Sequence, residues 1–298
     1  MTNFKYITDE SAKLVTIRDP MILVHDGMYY LTGTQPPYWK GANDGVHLWS
    51  SKDLKKYTYH GLILKRSDIP EDMWCRDRFW APELFCGNDG YFYLTFNCRN
   101  ESEEYRSGLN VGLARAKNVT GPYEIMTKQE SLTGKIYGGG NDGTIFLDDD
   151  GKCYLGSTVS SRLLLSPLNL EKGTISSGIT VCEKGSEGEW DSIGIEGQCI
   201  VKRHGIYFQW YSSWTNGYEA GVLTAQSING PWVKHPENPI LTDNEHWYRC
   251  GHNHSFKGLD GNDYIVFHAC IRGEDETERM IILRVDYAAD GSVRIISH

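Results

Sequence analysis

Five times in 298 residues an apolar run enters a glycine turn and leaves as an aromatic run, at Gly27, Gly90, Gly151, Gly205 and Gly261. The steps between them are 63, 61, 54 and 56 residues, a period that marks a propeller or a solenoid. The turns read Asp26-Gly27, Asn88-Asp89-Gly90, Asp149-Asp150-Gly151, His204-Gly205 and Asp260-Gly261-Asn262. Glycine accepts the positive φ that tight hairpins need, so each turn predicts a hairpin. Third strands follow, for example at 46–51, 110–115, 221–225 and 280–284, and two units share a Gly-Pro-aromatic turn at Gly121 and Gly230. About four antiparallel strands in each of five units predict an all-β fold, a five-bladed β-propeller, because a four-stranded sheet is too small to stand alone. The blades are expected near 18–65, 80–125, 141–180, 195–240 and 251–295, as one domain over 1–298, with very little helix.

The bulk numbers narrow the partners. A net charge of −9 argues against nucleic acid, which demands a basic footprint, and against anionic membranes. No apolar stretch approaches the roughly 18 residues that span a bilayer as a helix. Neutral ligands remain compatible, and 18 Tyr, 9 Trp and 9 Phe supply faces on which an apolar ligand surface can stack. The eight cysteines are scattered without a Cys-x-x-Cys pair, so reduced buried thiols are expected rather than a disulfide or metal framework. The start, Met-Thr-Asn-Phe-Lys-Tyr, lacks the features of a secretory signal, and a cytoplasmic location is expected. Oligomeric state leaves no mark in the sequence.

In a propeller the first strand of each blade lines the central channel, so residues that lead into those strands gather at one mouth. Asp19, Asp142, Glu196 and His252 precede their turn glycines by 8, 9, 9 and 9 residues, and Trp80 stands at the corresponding place in the second unit. Three carboxylates at one mouth suit hydrolysis of a glycosidic bond. One must be ionised to activate water, another must hold a proton for the leaving oxygen, and a third anion helps keep that acid protonated. The rival is that Asp19 and Asp142 brace turns.

Arg18-Asp19-Pro20, Trp80-Ala81-Pro82-Glu83, Asn141-Asp142-Gly143-Thr144-Ile145-Phe146, Ile195-Glu196-Gly197 and Gly251-His252-Asn253 together resemble the signature segments of glycoside hydrolase family 43. Five such segments in order cover essentially the whole chain. The resemblance implies a five-bladed propeller in which Asp19 is the catalytic base, Glu196 the general acid and Asp142 the carboxylate that tunes and orients the acid. It implies inversion of configuration. It makes Trp80 a sugar-binding face, Arg279 a sugar contact from the last blade, and His252 the channel histidine that contacts substrate and a Ca²⁺ or water; no cofactor is otherwise required. The bland alternatives are a core tryptophan for Trp80 and a solvated charge for Arg279. Glu83 is assigned to the lead-in of its strand rather than to catalysis.

Departures from the pattern are specific. The acid segment continues as Glu196-Gly197-Gln198 where Glu-Gly-Pro is common, which leaves the shape of the adjoining turn open. His254 stands where small residues are usual, and strand alternation would point it the same way as His252, but a third ligand for zinc is missing. Gly138-Gly139-Gly140 is followed by no Gly-Lys-Ser/Thr, so it reads as a rim loop rather than a phosphate loop.

The expected activity is an exo-acting, inverting hydrolase that removes a terminal arabinofuranose or xylose from oligosaccharides. Rim segments 34–45, 66–79, 97–108 and 213–219 carry Trp39, Trp74, Tyr105 and Trp214, which would wall the mouth into a pocket, with Trp214 a further sugar contact. Alternatives are a related glycosidase acting on galactofuranosides or fructofuranosides, or a catalytically silent carbohydrate-binding propeller.

Overall fold

A computed structural model describes residues 5–296. Blade 1 is β1 (Arg18–His25), β2 (Met28–Thr34), β3 (Gly45–Ser51) and β4 (Thr58–Lys65). Blade 2 is β5 (Asp77–Cys86), β6 (Phe92–Arg99), β7 (Asn110–Ala116) and β8 (Glu124–Ile125). Blade 3 is β9 (Asn141–Leu147), β10 (Cys153–Val159) and β11 (Arg162–Asn169), whose outer edge is shared by β12 (Thr174–Ile175) and β13 (Ile179–Glu183). Blade 4 is β14 (Ile195–Arg203), β15 (Ile206–Ser213), β16 (Glu219–Ala225) and β17 (Val233–Lys234). Blade 5 is β18 (Trp247–Lys257), β19 (Asp263–Ile271), β20 (Glu278–Tyr287) and β21 (Val293–Ile296). The five antiparallel sheets form the five-bladed β-propeller that the repeat predicts. Among the described residues, helix is confined to two single turns of 3-10 helix and α1 (Gly134–Tyr137). Gly138, the first of the glycine triplet, ends α1 in the left-handed conformation at φ 74°.

All five turn glycines have positive φ, between 70° and 81°. In blades 1 and 4 the preceding residue, Asp26 or His204, is left-handed too, giving two-residue loops whose twist matches the strands they join. The hydrophobic core is divided among the five seams between blades. Trp210 and Phe208 meet Trp247 and Phe267 between blades 4 and 5, and Tyr93 and Leu113 meet Leu155 between blades 2 and 3. All eight cysteines are free thiols, six of them buried. The ring closes where Ile7 bridges to Met280 and the Ile17 N–H reaches the Glu278 carbonyl (3.2 Å).

The inner strands share one irregularity that positions the mouth. Each pairing register slips, at 18/21, 80/83, 141/144, 196/199 and 251/254, which is a β-bulge repeated in every blade. At each bulge one residue turns left-handed: Asp19 (φ 48°), Ala81 (41°), Asp142 (54°), Gly197 (64°) and His252 (46°). Four of these are not glycine, so backbone strain is held in the ring where the side chains converge. In four seams the bulge N–H is taken by the second strand of the preceding blade. Asp19 donates to His268 Nδ1 (3.1 Å), Ala81 to Thr34 Oγ1 (2.7 Å), Asp142 to Asn97 Oδ1 (2.8 Å) and His252 to Ser212 Oγ (2.8 Å).

Candidate active site

The bulge turns two successive residues of each inner strand toward the mouth, so the site has two tiers. The left-handed tier supplies Asp19, Asp142 and His252, while the preceding tier supplies Arg18, Trp80, Asn141 and Glu196. All seven line one cavity of about 120 Å³, together with Thr34, Tyr38, Trp39, Asn97 and Leu109. The sequence treats Trp80 and Glu196 as equivalents of Asp19. The structure sets them one residue earlier, where Arg18 and Asn141 are their true counterparts.

Asp19 is held as an anion. Burial opposes its charge, but His252 and Arg18 outweigh burial and draw the carboxyl down to about 2. Its Oδ2 accepts the Thr34 hydroxyl (2.6 Å), and its Oδ1 lies 3.2 Å from His252 Nδ1. Burial works against charge on His252, yet Asp19, Asp142, Glu196 and Glu83 together raise its pKa and favour the protonated ring.

Glu196 and Asp142 form a coupled pair. Burial, then the charge of Asp142, pushes the Glu196 carboxyl up to about 7. Burial and Asp19 push Asp142 up as well, but its oxygens receive three N–H donors, from Asn97 (2.7 Å), Asn141 (2.8 Å) and Gly197 (3.0 Å). Glu196 accepts the Tyr218 hydroxyl at Oε1 (2.9 Å) and only a long 3.4 Å contact from Asn141 at Oε2. Donors stabilise the ionised form, so the shared proton rests on Glu196. Glu83 does not line the cavity; half-buried beside Thr144, its carboxyl is pushed up by desolvation to about 7.

Two expected sugar contacts fall elsewhere. Arg279 alternates with Glu278 along β20, and it is Glu278 that faces inward. The Arg279 guanidinium pairs instead with Asp275 (2.9 Å) and Glu274 (3.5 Å), over the Tyr6 ring. The arginine that lines the cavity is instead Arg18, which the motif contains but the sequence reading gave no role. The Arg18 guanidinium pairs with Glu278, stacks 4.9 Å from the Trp39 ring centre and separates the acid-bearing cavity from a second one of about 280 Å³. Trp214 lies against Gly194 and does not line either cavity. Of the other rim aromatics, Trp39 is 66% exposed and sits edge-on to Trp80, whereas Trp74 is tied to the Thr127 carbonyl (2.7 Å) and packs against the core between blades 1 and 2. Thr34, Asn97 and His268 also escape the sequence reading because they reach the site from second strands where no motif marks them, and Tyr218 because it stands on the loop just before β16.

Calcium prefers a cage of oxygens. Among the described residues no group of three or more His, Cys, Asp or Glu side chains is placed to share a metal ion, and His252 turns Nδ1 onto Asp19. His254 stands beyond the bulge, half-buried, with its Nδ1 buried and unpartnered and its pKa lowered by desolvation to about 4.

The resemblance to known proteins runs the length of this architecture. The signature described as "Glycosyl hydrolases family 43" matches residues 14–293. The chain is 32% identical over 236 residues to the protein named Beta-D-galactofuranosidase xynD of Aspergillus niger, a match covering 74% of this chain and 64% of that protein. This chain therefore matches a little under two thirds of that relative's length. It is 22% identical to the Extracellular exo-alpha-(1->5)-L-arabinofuranosidase ArbA of Cellvibrio japonicus, over 94% of this chain and 86% of that one. Among solved structures, one described as an Endo-1,4-beta-xylanase from Bacteroides thetaiotaomicron superposes with a TM-score of 0.80 at 26% identity, covering 100% of this chain and 97% of the other. With the family signature spanning all five blades, the chain belongs to glycosyl hydrolases family 43.

Proposed function

We propose that the protein is an inverting, exo-acting hydrolase that removes one terminal arabinofuranose or xylose from an oligosaccharide. The observation that carries this is the split of carboxyl behaviour in one small cavity, with Asp19 held at about 2 and Glu196 at about 7. In this reading Asp19 takes a proton from water as that water attacks the anomeric carbon. Glu196, with its proton on Oε2 because Oε1 already accepts from Tyr218, gives that proton to the leaving oxygen. Asp142 keeps the proton on Glu196. Trp80 and Trp39 offer aromatic faces to the sugar, and Arg18 offers N–H donors to its hydroxyls. A cavity of about 120 Å³ behind these walls suits a single ring, which supports removal from a chain end.

A second reading is a terminal galactofuranose, favoured by the 32% identity to a relative named for that activity. Nitrophenyl α-L-arabinofuranoside, β-D-xyloside and β-D-galactofuranoside, assayed side by side, separate the sugars. Proton NMR of the first-formed product tests inversion. Glu196→Gln should lose about 10²–10⁴-fold on natural glycosides and far less on nitrophenyl glycosides. Equal losses on both would remove Glu196 from the acid role, and sugar binding with no hydrolysis across the panel would favour a silent binding propeller.

A further inference from the structure

The base and the acid sit on blades 1 and 4, which are not neighbours in the ring; blade 5 stands between them. One side chain of blade 5 touches both Asp19 itself and the tyrosine that supports Glu196. His268, on β19 and 1% exposed, accepts the Asp19 backbone N–H at Nδ1 (3.1 Å). Its face stacks on the Tyr218 ring, centres 5.4 Å apart and planes 24° from parallel. Tyr218 in turn donates its hydroxyl to Glu196 Oε1 (2.9 Å). The register positions that match His268 in the other blades are Thr34, Asn97, Thr158 and Ser212. Those side chains can accept an N–H but have no face to stack, so a ring occurs only in the blade between base and acid. Burial, then the Arg18 charge, holds His268 well below the usual histidine range, so the ring is neutral. Because Nδ1 accepts, its proton is on Nε2.

We propose that His268 is a positioning residue that sets the separation of Asp19 and Glu196, through Nδ1 on the base side and through its stacked face and Tyr218 on the acid side. This rests on the assignment of Asp19 as base and Glu196 as acid. A side chain acting only as core packing would not distinguish the two halves of the reaction, whereas this brace does.

Two variants separate the two contacts. His268→Asn restores the acceptor that Asn97 provides at the same position of blade 2 but has no face for Tyr218. His268→Phe keeps a face and removes the acceptor. Each is assayed on two glycosides of one sugar, one with a nitrophenyl and one with an alkyl leaving group. His268→Phe is expected to lower kcat about 100-fold on both, the cost of a roughly 1 Å misplacement of the water-activating group, with KM little changed. His268→Asn is expected to lose about tenfold or more on the alkyl glycoside and little on the nitrophenyl one, because only the first needs full proton donation. Indistinguishable losses from the two variants on the two substrates would overturn the brace. Nitrogen-15 spectra of the wild-type imidazoles give a check that needs no variant to fold: the expected His268 signal has Nδ1 bare and Nε2 protonated between about pH 5 and 8, and a proton on Nδ1 would overturn the proposal. Absence of hydrolysis by the wild type is a different failure, that of the base and acid assignment itself.

Discussion

Gly197 donates its backbone N–H to Asp142 Oδ2 at 3.0 Å, where the other four blades send the matching N–H to the second strand of the preceding blade. The residue thereby bypassed is Thr158, 3% exposed and with its hydroxyl unpartnered. The ring gives up one regular bond next to the acid, and a carboxylate takes it. That exchange pins the Asp142 charge to the residue adjoining Glu196.

The rate should follow a bell with wide shoulders. Asp19 must be ionised and Glu196 protonated, so kcat/KM should rise through about 2, level off and fall through about 7. Asp142→Asn removes a charge that raises Glu196, so the upper limb should move toward the ordinary glutamate value. Activity at neutral pH should then drop about 10–100-fold and recover in part on acidification. An unmoved upper limb in the pH–rate profile would sink the tuning role.

Arg18 and Arg279 should behave oppositely. Arg18→Ala removes cavity-lining N–H donors and should cost about 10–100-fold in kcat/KM, from charged hydrogen bonds of about 1.5–3 kcal/mol. Arg279→Ala, facing Glu274 and Asp275, should stay within about twofold. Michaelis–Menten kinetics of the two variants decide it; a large loss from Arg279→Ala would mean that the guanidinium reaches the sugar.

Stability should be most sensitive at the seams. Trp210 is fully buried between blades 4 and 5 and donates Nε1–H to the Tyr287 hydroxyl (2.7 Å). Trp210→Ala should cost about 3–5 kcal/mol, read as a lowered urea midpoint. A loss near zero would show that the seam collapses around the gap.

Unfolding free energy should increase as pH is lowered from 8 to about 6.5 and then flatten. Glu83, Glu196 and Glu278 are each raised to about 7, so the folded chain binds protons in this window that the unfolded chain does not. His252, also raised, acts in the same sense: its contribution is present below the unfolded value and lost as pH rises through the folded one. Below about 6.5 the unfolded chain gains protons on His254 and His268, which the folded chain keeps neutral, and this opposes further gain. Urea midpoints at pH 8, 6.5 and 5 measure it; a maximum at pH 8 would contradict the buried-carboxyl assignments.

The fold was legible because hairpin turns and strand runs repeat their chemistry, and Asp19, Asp142, Glu196, Trp80 and His252 do converge. What the repeat concealed was the bulge. A one-residue slip cannot be seen in spacing alone, so Glu196 was aligned with Asp19 rather than with Arg18, and His252 with His254 on one simple alternation. Arg279 failed for the same parity reason: one step along β20 exchanges inside for outside, and the inward residue is Glu278. A support such as His268 was hidden because its role is set by the neighbouring blade, and Tyr218 because its partner Glu196 lies across its own blade, neither of which a single strand's sequence describes.

The bridge from Ile7 to Met280 and the bond from Ile17 to Glu278 close the ring at the seam between the last blade and the first. Asp19 and His268 meet across that seam. Mechanical opening of the closure would therefore disable water activation before any blade came apart, and loss of turnover would be the earliest sign that the ring had loosened.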